Sequence, residues 1–137
     1  MIIKYRNQDL GLLLIRLGLA YVFITHGLQK FLHAGSSAIF FKHLALPLPL
    51  EFMYFICAVE ILGGILMLIG LWVDLAGLLL AADMLGVIIA VRTGPLATGI
   101  LAGHEFELML MLMVLAVVFM GAGNYALQRP KPKQMYI

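Results

Sequence analysis

Apolar residues run along this chain in long blocks rather than alternating with polar ones. Four blocks stand out, at about Leu10–Leu32, Leu50–Trp72, Leu75–Val91 and Glu105–Met120. A bilayer core is about 30 Å thick and needs ~20 apolar residues to cross as a helix. The four blocks meet or approach that length, so the pattern predicts four transmembrane helices in one domain spanning residues 1–137. The punctuation agrees. "HAGSSA" closes the first block, Pro47 and Pro49 precede the second, "TGPLATG" follows the third, and Gly121 and Gly123 end the fourth. The second and third are separated only by Val73 and Asp74, which predicts a tight hairpin there. The connection "AIFFKHLALPLPL", with Lys42 and His43 inserted in apolar sequence, predicts a short interfacial helix between the first two spans. The fold class expected is therefore an all-α membrane protein, a four-transmembrane-helix bundle.

Composition strengthens this picture. Of 137 residues, 64% are hydrophobic and 12% are charged, against about half and about a quarter in a soluble domain. Mean hydropathy is +1.06. A soluble fold of this size could not hide so much apolar side chain. Charge then sets orientation: Lys4, Arg6, Arg129, Lys131 and Lys133 fall on one side, and Lys30, Lys42 and Arg92 on the other. Basic residues favour the cytoplasmic side, so both termini are expected there, with Tyr5, Trp72 and Tyr125 as anchors on that side. Lys4 and Arg6 before an apolar run also resemble a signal peptide. The run is long, however, Arg16 interrupts it, and Ala34-Gly35-Ser36 is a poor cleavage site. No basic run with interleaved aromatics suggests nucleic-acid binding. The single cysteine, Cys57, rules out an internal dithiol relay and reads as a small buried hydrophobe.

The chemistry resides in the ionisable residues inside the spans. Such residues cost at least a few kcal/mol at the bilayer centre, so they face the bundle interior and find partners. Arg16, His26 and Lys30 share one face of the first span, within roughly 80° of one another at 100° per residue. Glu60 lies mid-span in the second helix and Asp83 in the third, and Glu107 stands at the start of the fourth beside His104. Cations on one helix thus oppose carboxylates on the others. Arg16 is expected to pair with Asp83. His26 and Lys30 are expected to meet Glu60 and Glu107 in a small site opening outward. Two readings stay open: ion pairs that fix helix register, or a polar pocket for a redox or acidic small molecule. Neither H-x-x-x-H nor E-x-x-H occurs, so no metal site is expected. His26 with His104 would be the pair for a haem. The nine methionines read as lipid-facing or core filler. "GLLLIRLG" and "GLLLAADMLG" are a weak internal similarity.

With these residues in hand, the chain resembles the DoxX family of bacterial membrane proteins over nearly its whole length. The resemblance rests on "RLGLAYVFITHGLQKF", with Arg16, His26, Gly27 and Lys30, on "LPLP", and on "AVEILGGILMLIGLW" with Glu60, Gly63 and Gly64. "ADMLG", "HEFELMLML" and "GAGNYAL" complete it. It implies a multi-pass four-helix bundle of the bacterial inner membrane, associated with redox or quinone-linked systems. The chain departs from the family pattern at Asp74, at Val91–Arg92 and in the "GAGNYALQ" motif. The function expected is a redox-associated subunit near the quinone pool, with a quinone as its non-covalent ligand. His26 and Lys30 would donate hydrogen bonds and Glu60 would orient them. No nucleotide- or flavin-binding motif is readable, so electrons would come from a soluble or membrane redox partner. The rivals are a non-catalytic scaffold anchoring a soluble partner, and a lipophile-binding protein. The glycine-rich faces would also serve a homodimer.

Overall fold

The computed structural model describes residues 7–43, 48–93 and 103–128, and of residues 40, 43 and 91–93 the backbone only. Lys4, Tyr5, Arg6, Arg129, Lys131 and Lys133 lie outside the described residues, as do the side chains of His43 and Arg92.

The described residues fold into helices without strands: α1 (Gln8–Leu32), α2 (Ala34–His43), α3 (Pro49–Ile69), α4 (Val73–Thr93) and α5 (Glu105–Met120). Each begins or ends where backbone chemistry demands it. Asn7 caps α1 by accepting from the Leu10 amide at 3.1 Å. Pro49 opens α3, where a missing N–H is harmless. Gly70 ends α3 in the left-handed conformation, φ +68°. Here the expected hairpin is corrected. The turn is Gly70–Trp72, and Val73 and Asp74 already belong to α4. The glycine, not the acidic residue, ends the helix, because it takes positive φ without steric cost.

Helices α1, α3 and α4 are long and apolar enough to cross a membrane; α5 has 16 residues, a rise of ~24 Å. The outward faces carry Leu14, Tyr21, Phe55, Leu62, Leu78 and Phe119. Helices that are apolar all round belong in lipid.

Successive long helices run antiparallel. α1 packs chiefly on α3, and α4 on α5, with α3 bridging the two pairs and α2 packing chiefly on α3. Two glycines set the α1–α3 seam. A Cβ on Gly27 would lie 3.1 Å from the Cys57 carbonyl oxygen, and one on Gly64 would lie 3.2 Å from the Ile24 nitrogen. Only glycine permits this approach, as in other close-packed membrane helices. The central core gathers Leu19 and Phe23 of α1, Met67 of α3, Leu80 and Met84 of α4, and Leu110, Val114 and Val117 of α5. A smaller core under α2 joins Phe41 to Met53, Ile56 and Cys57.

One end of the bundle is tied shut by Arg16, which is fully buried. Its Nε donates to the Met67 carbonyl at 2.8 Å and its Nη2 to Leu68 at 2.9 Å. Its Nη1 donates to the carbonyls of Ala122 at 2.8 Å and Tyr125 at 3.1 Å. Met67 and Leu68 belong to the last turn of α3, whose carbonyls lack helical partners and carry the negative end of the helix dipole. The segment after α5 is held further by Asp9, which accepts from the Asn124 amide and side chain at 2.9 and 2.7 Å. Backbone bonds from Leu127 to Ile69 and from Gln128 to Gly70 complete the closure.

Candidate functional site

The other end of the bundle holds the remaining intramembrane charges. The register explains why. The turn at Gly70–Trp72 places Glu60, about ten residues before it, level with Asp83, about as far after it. The antiparallel α1–α3 seam brings Gly27 to Cys57 and Glu60, so His26 and Lys30 lie at the same level. Arg16 lies ten residues back along α1, a rise of ~15 Å.

The expected Arg16–Asp83 pair is therefore absent. Arg16 spends its donors on main-chain carbonyls at the opposite end. Asp83 instead has Glu60, Lys30 and His26 as its electrostatic neighbours.

The cluster surrounds a cavity of about 390 Å³, within the ~300–1,000 Å³ range of small-molecule pockets. His26 and Lys30 of α1, Glu60 of α3, Asp83 of α4 and Glu107 of α5 all line it. The structure thus brings together the four residues singled out as a site and adds Asp83 to them. Lys30 Nζ donates to Glu60 Oε1 at 2.7 Å; Glu60 is wholly buried and Lys30 one-quarter exposed. A long cationic side chain can keep its stem on apolar surface while its ammonium reaches an acid. The His26 ring tilts against Phe106, centroids 5.8 Å apart. His104 turns towards Glu107, 3.9 Å from Nδ1 to Oε2, beyond hydrogen-bond length.

The remaining wall is apolar. Phe41 comes from α2, Phe52 and Ile56 from α3, and Phe106 and Leu110 from α5. Along α4 it is built from Ala82, Gly86 and Ala90, one helical turn apart, with Val87 beside them. A Cβ placed on Gly86 would meet nothing within 4 Å, so the glycine leaves open space here. A second, shallower cavity of about 460 Å³ lies against the first and shares His26 and Lys30 with it, adding Gln29, His33 and Ser37. The carboxyl groups of Glu60 and Asp83 lie within hydrogen-bonding range of each other, and Glu60 Oε2, Asp83 Oδ2 and Glu107 Oε2 are buried without an N–H or O–H donor. Among the described residues, no three His, Cys, Asp or Glu side chains come together as metal ligands. The arrangement can therefore hold an apolar, ring-sized molecule with one polar edge turned towards an acid–base cluster.

Sequence reasoning missed Asp83 as a lining residue, and with it the aromatic wall. The equal spacing of Glu60 and Asp83 about the turn was the available signal. A turn at Val73–Asp74 and a pairing of Asp83 with Arg16 hide that signal.

A bundle of apolar helices enclosing a small acid–base site is the class that these features define. The DoxX family profile matches residues 11–93, and the chain belongs to the DoxX family. It is 33% identical over 123 residues to "Putative oxidoreductase CatD" of Bacillus subtilis, covering 89% of this chain and 87% of that one. An uncharacterized protein of Haemophilus influenzae is 34% identical over 133 residues, covering 90% and 91% of the two chains. An uncharacterized membrane protein of Mycobacterium tuberculosis is 29% identical over 133 residues, covering 88% and 80%. No solved structure matches the chain significantly.

Proposed function

We propose that the chain is a multi-pass protein of the bacterial inner membrane, a redox-associated subunit whose cavity binds a lipophilic ligand of the quinone class. In this reading α5 is the fourth span, made long enough by its flanking residues. Both termini face the cytoplasm, and α2 lies in the interface over the mouth of the cavity. The carrying observation is the union of a fully buried Glu60, its Lys30 partner and His26 with an aromatic cavity of about 390 Å³. Such a cavity accepts a ring by its walls and orients it by its polar edge. The name of the Bacillus subtilis relative, "Putative oxidoreductase CatD", supports a redox role. A quinone supplies two-electron, two-proton chemistry when bound. His26 and Lys30 would donate hydrogen bonds to it, and the carboxylates would hold or accept protons. The electrons come from a partner protein.

The test is equilibrium binding of a short-chain ubiquinone or menaquinone analogue to the purified full chain in lipid nanodiscs. Gly86→Leu projects a side chain into the open space of the cavity and is expected to weaken binding at least tenfold without lowering the melting temperature. His26→Ala is expected to weaken it as well. Wild-type affinity in both variants would refute the site.

A further inference from the structure

The main cavity reaches the surface of the bundle partway along α4. Near the hairpin α3 and α4 are in close contact: a Cβ on Gly63 would lie 2.9 Å from Leu80 Cγ. Further from the turn that contact is lost, and a Cβ on Gly86 would meet nothing within 4 Å. Ala82 and Gly86 are exposed, yet they line the same cavity as the buried Glu60 and Asp83. Leu78, Leu79, Leu85 and Ile89 of α4 are exposed as well, so the two small residues make a gap among large ones. On the α3 wall of the cavity Phe52 is 39% exposed, and Ile56, one turn on, is buried.

The depth of this gap decides what it meets. Ala82 and Gly86 stand ~14 and ~20 Å along α4 from Val73 at ~1.5 Å per residue. In a hydrocarbon core ~30 Å thick both lie near the middle. The opening therefore faces lipid rather than water. An ionic cluster with an open way to lipid costs at least a few kcal/mol, so an apolar chain has to close the gap. A ligand arriving from water would instead use the second cavity, where Gln29, His33 and Ser37 offer polar groups.

Resting on the quinone reading above, we infer that the ligand is a tailed lipid that enters sideways from the bilayer. Its ring lies against His26, Lys30 and Glu60, and its hydrocarbon tail leaves through the cleft between α3 and α4, over Ala82 and Gly86. The tail gains little by passing from lipid to an apolar groove. The cleft acts as a slot: it lets the ring seat while the tail stays attached, and the tail seals the polar cluster from lipid.

The experiment is titration of the full chain in nanodiscs with decylubiquinone and with the tail-less dimethoxy-methyl-benzoquinone. Ligand is counted per lipid, so that partition of the tail into the bilayer cancels. Ala82→Phe narrows the slot at a lipid-facing position. It is expected to weaken decylubiquinone at least tenfold and the tail-less ring less than twofold. Equal losses for the two ligands, or none for either, overturn the inference and leave the quinone site standing. Binding of neither ligand to the wild-type chain overturns both. A second measurement holds if Ala82→Phe fails to fold. Decylubiquinone with a diazirine near the ring end of its tail is expected to label α4 between Ala82 and Ile89 of the wild-type chain, and excess decylubiquinone to suppress that label. A suppressible label confined to Gln29–Ser37 would show entry from the aqueous side and overturn the inference.

Discussion

Asp83→Asn should stabilise the protein. Most substitutions at buried positions cost about 1 kcal/mol or more, so the sign is the test. Asp83 is buried beside Glu60, and its Oδ2 is buried without an N–H or O–H donor. The single ammonium of the cluster lies on the other acid. An unsatisfied buried acceptor costs roughly 1–3 kcal/mol, and a like charge nearby adds to that. Asparagine has nearly the same shape, removes the charge and brings a donor that Glu60 can use. The net gain expected is about 1–2 kcal/mol in the ligand-free protein. Lys30→Met supplies the contrast. It strips the counter-ion from a fully buried carboxylate, and breaking a buried pair costs about 3–5 kcal/mol. Partial exposure of Lys30 puts the expected loss at the lower end of that range. Unfolding in mixed micelles, followed by circular dichroism, measures both. Stabilisation by Asp83→Asn means that the acid is kept at a cost to stability for what it does in the cavity, the usual trade at functional sites. A loss of more than about 1 kcal/mol would instead make Asp83 a structural anchor and refute the reasoning.

Two further outcomes concern the closed end of the bundle. Arg16→Met leaves four carbonyls without their donor and should cost about 3–5 kcal/mol. Arg16→Lys, whose donors radiate from one point, should recover less than half of this, measured by the same unfolding assay. Gly70→Ala places a Cβ in a left-handed residue, at about 1–2 kcal/mol, and sets it 2.5 Å from Arg16 Nη2. Its melting temperature should fall further than that of Gly86→Leu, and an equal or smaller fall would refute the account of this turn.

The helical character of the chain was legible because a membrane leaves the backbone few alternatives, and long apolar blocks broken by glycine and proline record where helices stop. Gly121 is such a stop, and α5 ends against it. The grouping of His26, Lys30, Glu60 and Glu107 was legible for a similar reason, since ionisable residues inside a bundle must find one another. Arg16 was not readable in the same way. Its partners are main-chain carbonyls, which every residue possesses, so no side-chain pattern announces them. The aromatic wall was hidden too. Phe41, Phe52 and Phe106 come from three helices in runs already rich in apolar residues, and only packing distinguishes a ring at a cavity from a ring in lipid.

The Arg16 clamp also bears on how the protein is made. Its acceptors stand 51, 52, 106 and 109 residues further along the chain. At ~5–20 residues per second, the ribosome delivers the last of them several seconds after the first helix has emerged. Until then α1 carries a guanidinium without its full set of partners, at a cost of at least a few kcal/mol within the bilayer. The first helix therefore cannot settle until the last segment docks. A chain that stops short of Ala122 lacks two of the four acceptors and keeps a half-bare charge in its first span.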